Sequence, residues 1–175
     1  MSELRTNRIV PRDGLVSGTN NGGGIIQVRQ GTFTGKFNTA SSTMVDSGLS
    51  VTITPKFNTS KILVQVSLGS LSNNERYKRA FMNIVRGSTN VITGDAATGH
   101  EVTAALNSRS ADDNHIQIPV SFMVLDSPAT TSATTYKVQL SRGADSGTVY
   151  LNGSAGADAY AGNAASTIIV MEVSG

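Results

Sequence analysis

GLSVTITP (48–55) decides the fold class. Leu49, Val51 and Ile53 alternate with Ser50, Thr52 and Thr54, the two-residue period of a strand with one buried face. Pro55 ends the run, because proline has no N–H to donate to a ladder. The next run, KILVQVSL (61–68), is apolar on both faces near its middle, the pattern of a central strand.

Working outward, similar runs recur between turn signals, as in sandwiches and barrels. IIQVRQ (25–30) and TFTGKF (32–37) come before the deciding stretch. KRAFMNIVR (78–86) and NVITG (90–94) flank a Gly-Ser-Thr turn and predict a hairpin. HIQIPVSFMVLD (115–126), TTYKVQLS (134–141), TVYLNG (148–153) and STIIVMEV (166–173) complete the set. In TTYKVQLS, which follows a Ser127-Pro128 turn, the spacing points Tyr136, Val138 and Leu140 inward. Roughly eight to ten strands are expected, in an all-β antiparallel sandwich. Two segments lack the pattern: 95–114, where EVTAALN has room for one helical turn, and 153–165. Both are expected as long loops at one end of the sandwich, where loops of more than ~12 residues tend to carry function.

Composition agrees. The chain has 175 residues, enough for one domain with a tail. Charged residues are only 15% of it, whereas helical bundles of this size carry far more Glu and Lys. With no Cys, disulfides, thiolate metal sites and cysteine nucleophiles are excluded together, and assembly in a reducing cytoplasm is expected. A formal net charge of +2, with scattered basic residues, does not argue for nucleic acid. No apolar run approaches the ~20 residues of a membrane span, so no membrane insertion is expected. The start has Glu3 and Arg5 but no apolar signal-type core.

Residues 1–24 form a separate unit: charged, then turn-forming, then Asn/Gly-rich through Gly22, Gly23 and Gly24. They read as an extended arm and flexible linker ahead of a head domain over 25–175. Within the arm, Leu4, Ile9 and Val10 offer apolar area. Arg5, Arg8 and Arg12 offer bidentate hydrogen bonds to acidic groups, and Pro11 helps turn the chain.

Catalytic motifs are lacking. His100 lies beside Glu101, and Asp112 and Asp113 precede His115, but without any HxxxH or HxH spacing these read as solvated loop residues. The carboxylates Glu75, Glu101, Asp112, Asp113, Asp145 and Asp158 fall on loops and in no glycosidase-like motif. No glycine pattern cradles a phosphate. The expectation is no catalytic residue, no cofactor and no metal. Tyr160 stands in a Gly/Ala/Asn-rich run that no β pattern explains, and a loop tyrosine offers flat amphipathic area for a ligand. His100, Asp112, Asp113 and Tyr160, in the two unpatterned segments, are the candidate ligand-loop residues. KILVQVSL and STIIVMEV carry apolar residues on both faces, a surplus that burial between subunits would use.

LRTNRIVPRDG (4–14) followed by GGIIQV (23–28) resembles the N-terminal start of tail-fibre-like virion structural proteins of marine, particularly cyanobacterial, phages. FNTASSTMVDSGLSVTITPKFNTSKILVQVSL (37–68), FMVLDSPATTSATTYKVQL (122–140), GTVYLN (147–152) and STIIVMEV (166–173) are similar to its later blocks, with 69–121 the least similar portion. The resemblance implies a non-enzymatic virion protein: a docking arm joined to a jelly-roll-like β-sandwich head, assembled as a homotrimer in the host cytoplasm. Its implied partners are other virion proteins of the tail or capsid platform, and a host-surface glycan or protein. A capsid-surface decoration protein and a glycan-binding or glycan-cleaving head are the alternatives.

Overall fold

The computed structural model describes residues 24–96, 98, 102–108, 117–155 and 162–174. The strands, in chain order, are β1 (Ile25–Phe33), β2 (Phe37–Thr39), β3 (Val45–Ile53), β4 (Lys61–Asn73), β5 (Arg79–Arg86) and β6 (Thr89–Asn90). They continue as β7 (Ala105–Ser108), β8 (Ile118–Asp126), β9 (Thr134–Ser141), β10 (Val149–Leu151) and β11 (Ser166–Val173). Every pairing is antiparallel, and no helix occurs among the described residues.

Two sheets form. The six-stranded one runs β1-β11-β4-β10-β2, with β8 also on β4; the five-stranded one runs β3-β9-β5-β6, with β7 also on β5. Register reduces this to four lanes in each. Val64 of β4 pairs with Val170 of β11 and Val124 of β8, and Leu71 pairs with Leu151 of β10 and Ile118 of β8. Since β8 occupies one flank of β4, β10 and β11 share the other flank, end to end in a single lane. β1 and β2 pair with the outer edges of β11 and β10 and so also share a lane. In the smaller sheet, β6 and β7 share the flank of β5 opposite β9. Excursions 91–104 and 152–165 thus leave and rejoin their lanes in mid-sheet. The expected loops 95–114 and 153–165 lie in part outside the described residues, and within the first Ala105–Ser108 is strand.

The strands form where alternation lets one face meet the opposite sheet. Leu49, Val51 and Ile53 of β3 are buried, while Ser50 and Thr52 are exposed. Ile62, Val64, Val66 and Leu68 of β4 meet Tyr136, Val138 and Leu140 of β9 in one core cluster with Ile168 and Val170 of β11. Each such buried side chain contributes about 1.5–3 kcal/mol relative to leaving it in water. β3 ends at Ile53, two residues before Pro55. The hairpin β5–β6 turns on Gly87-Ser88, with Gly87 at φ 62°, as a two-residue type II′ turn requires at its first central position. At Gly31 on β1 the sheets come so close that a Cβ would overlap the Ser50 carbonyl oxygen.

Three boundaries depart from the sequence reading. β1 runs unbroken through Gly31 to Phe33, so IIQVRQ and TFTGKF are not separate strands at that point. NVITG contributes only its first residue, Asn90, to β6. EVTAALN makes no helical turn over its described part; Ala105–Ser108 is strand β7, paired with β5.

Candidate functional site: the two ends of the head

Strand direction divides the connections between two ends. At the terminus end lie Gly24 and Ser174, whose N–H donates to the Gly24 carbonyl at 3.2 Å, together with turns 54–60, 87–88 and 127–133. At the far end lie turns 40–44, 74–78 and 142–148, and the residues Ser108 and Gln117 that flank 109–116.

Two buried carboxylates pin the sheets together at the terminus end. Glu172 follows Ile168 and Val170 on the inward side of β11 and has no accessible surface. It accepts hydrogen bonds from the backbone N–H groups of Lys56 (2.6 Å) and Phe57 (3.3 Å), and from Gln27 Nε2 (2.6 Å). Gln27 Nε2 also donates to the Thr54 carbonyl at 2.7 Å. Burial alone would raise the Glu172 carboxyl, but Gln27, the Ser60 side chain and the two backbone N–H groups outweigh it and hold the group below its ordinary 4.5. The second pin joins β8 to the smaller sheet. Tyr136 Oη donates to Asp126 Oδ2 at 2.7 Å, and Arg86 Nε lies 2.8 Å from the same oxygen. Burial pushes the Tyr136 phenol above its ordinary 10.0, and the bond to Asp126 adds to the rise.

The far end is held by contacts between turns 74–78 and 142–148 and the strands beside them. Asn73 Nδ2 donates to the carbonyls of Arg79 (2.9 Å) and Ser146 (3.1 Å), and its Oδ1 accepts from the Glu75 N–H. Asp145 accepts from the Arg79 N–H (2.9 Å) and Nε (2.8 Å). The Arg79 side chain holds the Asp145 carboxyl below its ordinary 3.8, against the opposing effect of burial. Ser146 Oγ donates to Glu75, and Asn74 Oδ1 accepts from the Thr148 N–H at 2.6 Å, so turns 74–78 and 142–148 are joined.

Chemically, this arrangement holds turns. Asp46 accepts from Lys137 Nζ, so of the six described carboxylates Asp46, Glu75, Asp126, Asp145 and Glu172 each bond a named donor or cation. Among the described residues no three of His, Cys, Asp and Glu come together as a metal site. Nor is any described helix long and apolar enough to cross a membrane.

The arm candidates Leu4, Arg5, Arg8, Ile9, Val10, Pro11 and Arg12 lie outside the described residues, as do His100, Asp112, Asp113 and Tyr160. The described residues beside them can be placed: Ser108 and Gln117, around the two aspartates, are at the far end. Thr98 and Val102 bracket His100 in the β6–β7 excursion, and Ala155 and Gly162 bracket Tyr160 in the β10–β11 excursion. Sequence reasoning missed Glu172 and Asp126, although a signal was present. In STIIVMEV the acid falls on the same parity as Ile168 and Val170, and in FMVLD on the parity of Phe122 and Val124. An acid at an inward-facing position needs buried donors to stay there.

A scan against protein-family models matches none to this chain, and a search of curated proteins finds no match. By its strands and packing the chain is an antiparallel β-sandwich protein.

Proposed function

We propose that this chain is a non-enzymatic structural protein of a phage virion. It forms a compact tail-fibre or knob-like appendage that docks on the particle through residues 1–24 and displays its head as a homotrimer. The observation that supports the reading is the opposition of the two ends. The chain enters the head at Gly24, beside Ser174, on an end braced by Glu172 and Asp126. Turns 40–44, 74–78 and 142–148 gather at the other end, together with the flanks of 109–116. A head tethered by residues 1–24 at one end presents the opposite loops outward, toward a host-surface glycan or protein.

The head reads as a jelly roll in this proposal. In chain order the eight lanes visit the six-stranded sheet, the five-stranded, the six-stranded, the five-stranded twice, then six, five and six. All but one passage crosses between the sheets, as the paired Greek keys of a jelly roll require. Deleting residues 1–13 tests the docking role. The expected result is a head with unchanged circular dichroism and thermal midpoint that no longer joins purified particles. Normal incorporation of the truncated chain refutes docking by the arm.

A further inference from the structure

The two outer faces of the sandwich differ in kind. On the five-stranded sheet the outer face carries charge: Lys137 Nζ and Gln139 Nε2 donate to Asp46 at 2.7 and 2.8 Å, and the Thr52 and Thr135 hydroxyls meet at 2.8 Å, with Phe81, Val85 and Leu106 as the apolar members of the same side. On the six-stranded sheet, register aligns the outward side chains of β1, β11, β4 and β8 in rows. One row is Val28, Met171, Leu63 and Leu125, and the next contains Ile169 and Met123 on either side of Gln65. Every other member of these rows, and of the row beyond them, is Gln, Ser or Thr, so the face carries no charge. Val28 is 48% exposed, Met123 60% and Leu125 50%, although the chain folds with room for polar residues at all three.

We propose that this face is where copies of the chain meet. The inference deepens the oligomeric part of the function proposed above and is independent of its virion part. A face without charge has nothing to offer nucleic acid or an acidic glycan. Its polar members, Gln, Ser and Thr, each donate and accept, so polar groups of a neighbouring copy around a three-fold axis satisfy them while that copy's apolar side chains cover the rows. Four strands at ~4.8 Å and five residues at ~3.4 Å give roughly 300 Å² in projection for the three rows, in which six of the twelve positions are apolar. That is the apolar centre of an interface, and the strand ends around it, including Lys61, supply the polar rim.

The test uses the full chain. Native mass spectrometry and light scattering are expected to give a multiple of 18.2 kDa, reduced to 18.2 kDa by Met123→Lys with Leu125→Lys. Ser50→Lys on the opposite face is expected to leave the assembly intact. Because the chain has no cysteine, Gln65→Cys adds a single thiol at the centre of the face. A short bis-maleimide is then expected to link chains, while a thiol at Ser50→Cys is not linked. A monomeric wild-type chain at tens of micromolar overturns both the face and the oligomer. An assembly that survives the double variant and is not linked through Gln65→Cys overturns the face alone. A monomer whose face becomes reactive only after residues 1–23 are deleted overturns it too, since the arm is then the occupant.

Discussion

Glu172→Gln tests the claim that a buried carboxylate pins the terminus end. The donors on the wild-type group include the Lys56 and Phe57 N–H groups and Gln27 Nε2. A glutamine there keeps one accepting oxygen for the backbone pair but turns an NH₂ toward Gln27. If the Gln27 amide flips to accept from it, its bond to the Thr54 carbonyl is lost; either way one hydrogen bond disappears. One lost bond costs about 1 kcal/mol, and reducing two charge-assisted bonds to neutral ones costs about 0.5–1.5 kcal/mol each. The expected destabilisation is roughly 2–4 kcal/mol, or a fall of about 5–15 °C in thermal midpoint for a domain of this size. Acid supplies the control. The folded carboxyl is held below its ordinary 4.5, so its contribution is complete above that pH and is lost as pH falls through the folded value. Urea unfolding of both proteins at pH 7, 5 and 3 should therefore show a gap that is full at pH 7 and 5 and narrows toward pH 3. A gap below about 1 kcal/mol at pH 7, or one that does not change with acid, refutes the pin.

Gly31→Ala places a Cβ against the Ser50 carbonyl, where only backbone movement can relieve it; a loss of about 1–3 kcal/mol by chemical denaturation is expected, with a wild-type stability disproving the close approach. Tyr136→Phe should cost about 1–3 kcal/mol by leaving Asp126 without its phenol donor. In alkaline spectrophotometric titration of the wild type, one tyrosine should stay protonated well beyond 10.0 and ionise only with unfolding, and Tyr136→Phe should abolish that lag.

Much of the architecture could be read where burial is one-sided. GLSVTIT and TTYKVQLS declare their inward residues by parity, and the turns at Pro55 and Gly87-Ser88 have local causes. β7 gave no such sign. Only Ala105 and Leu106 in it are apolar, and it is held by its ladder to β5 and by Asn107 Nδ2 donating to the Leu71 carbonyl, a partner far away in the chain. Shared lanes are equally hidden, since a local pattern says that a segment is extended but not which flank it joins. The doubled apolar parity of KILVQVSL and STIIVMEV correctly flagged a second apolar face, but only register shows that Leu63, Met171 and Leu125 line up on it. The acids at 126 and 172 were legible as parity violations, and their donors, from turns and strands remote in sequence, were not.

The excursion between β10 and β11 has one more consequence. Its base is stitched: Asn152 N–H donates to the Ser70 carbonyl (3.1 Å), Ala164 N–H to the Asn152 carbonyl (3.2 Å), and Ser166 Oγ to Asn152 Oδ1 (2.5 Å). Asn152 Nδ2 ties the same point to the Phe33 and Gly35 carbonyls. β11 is meanwhile fixed by its own ladders to β1 and β4. These bonds and ladders hold β10 and β11 in one lane from both sides of the connection. Doubling the length of the connection would add only about 0.6 kcal/mol of closure entropy, so the register of β11 is set by its ladders and not by the length of what precedes it.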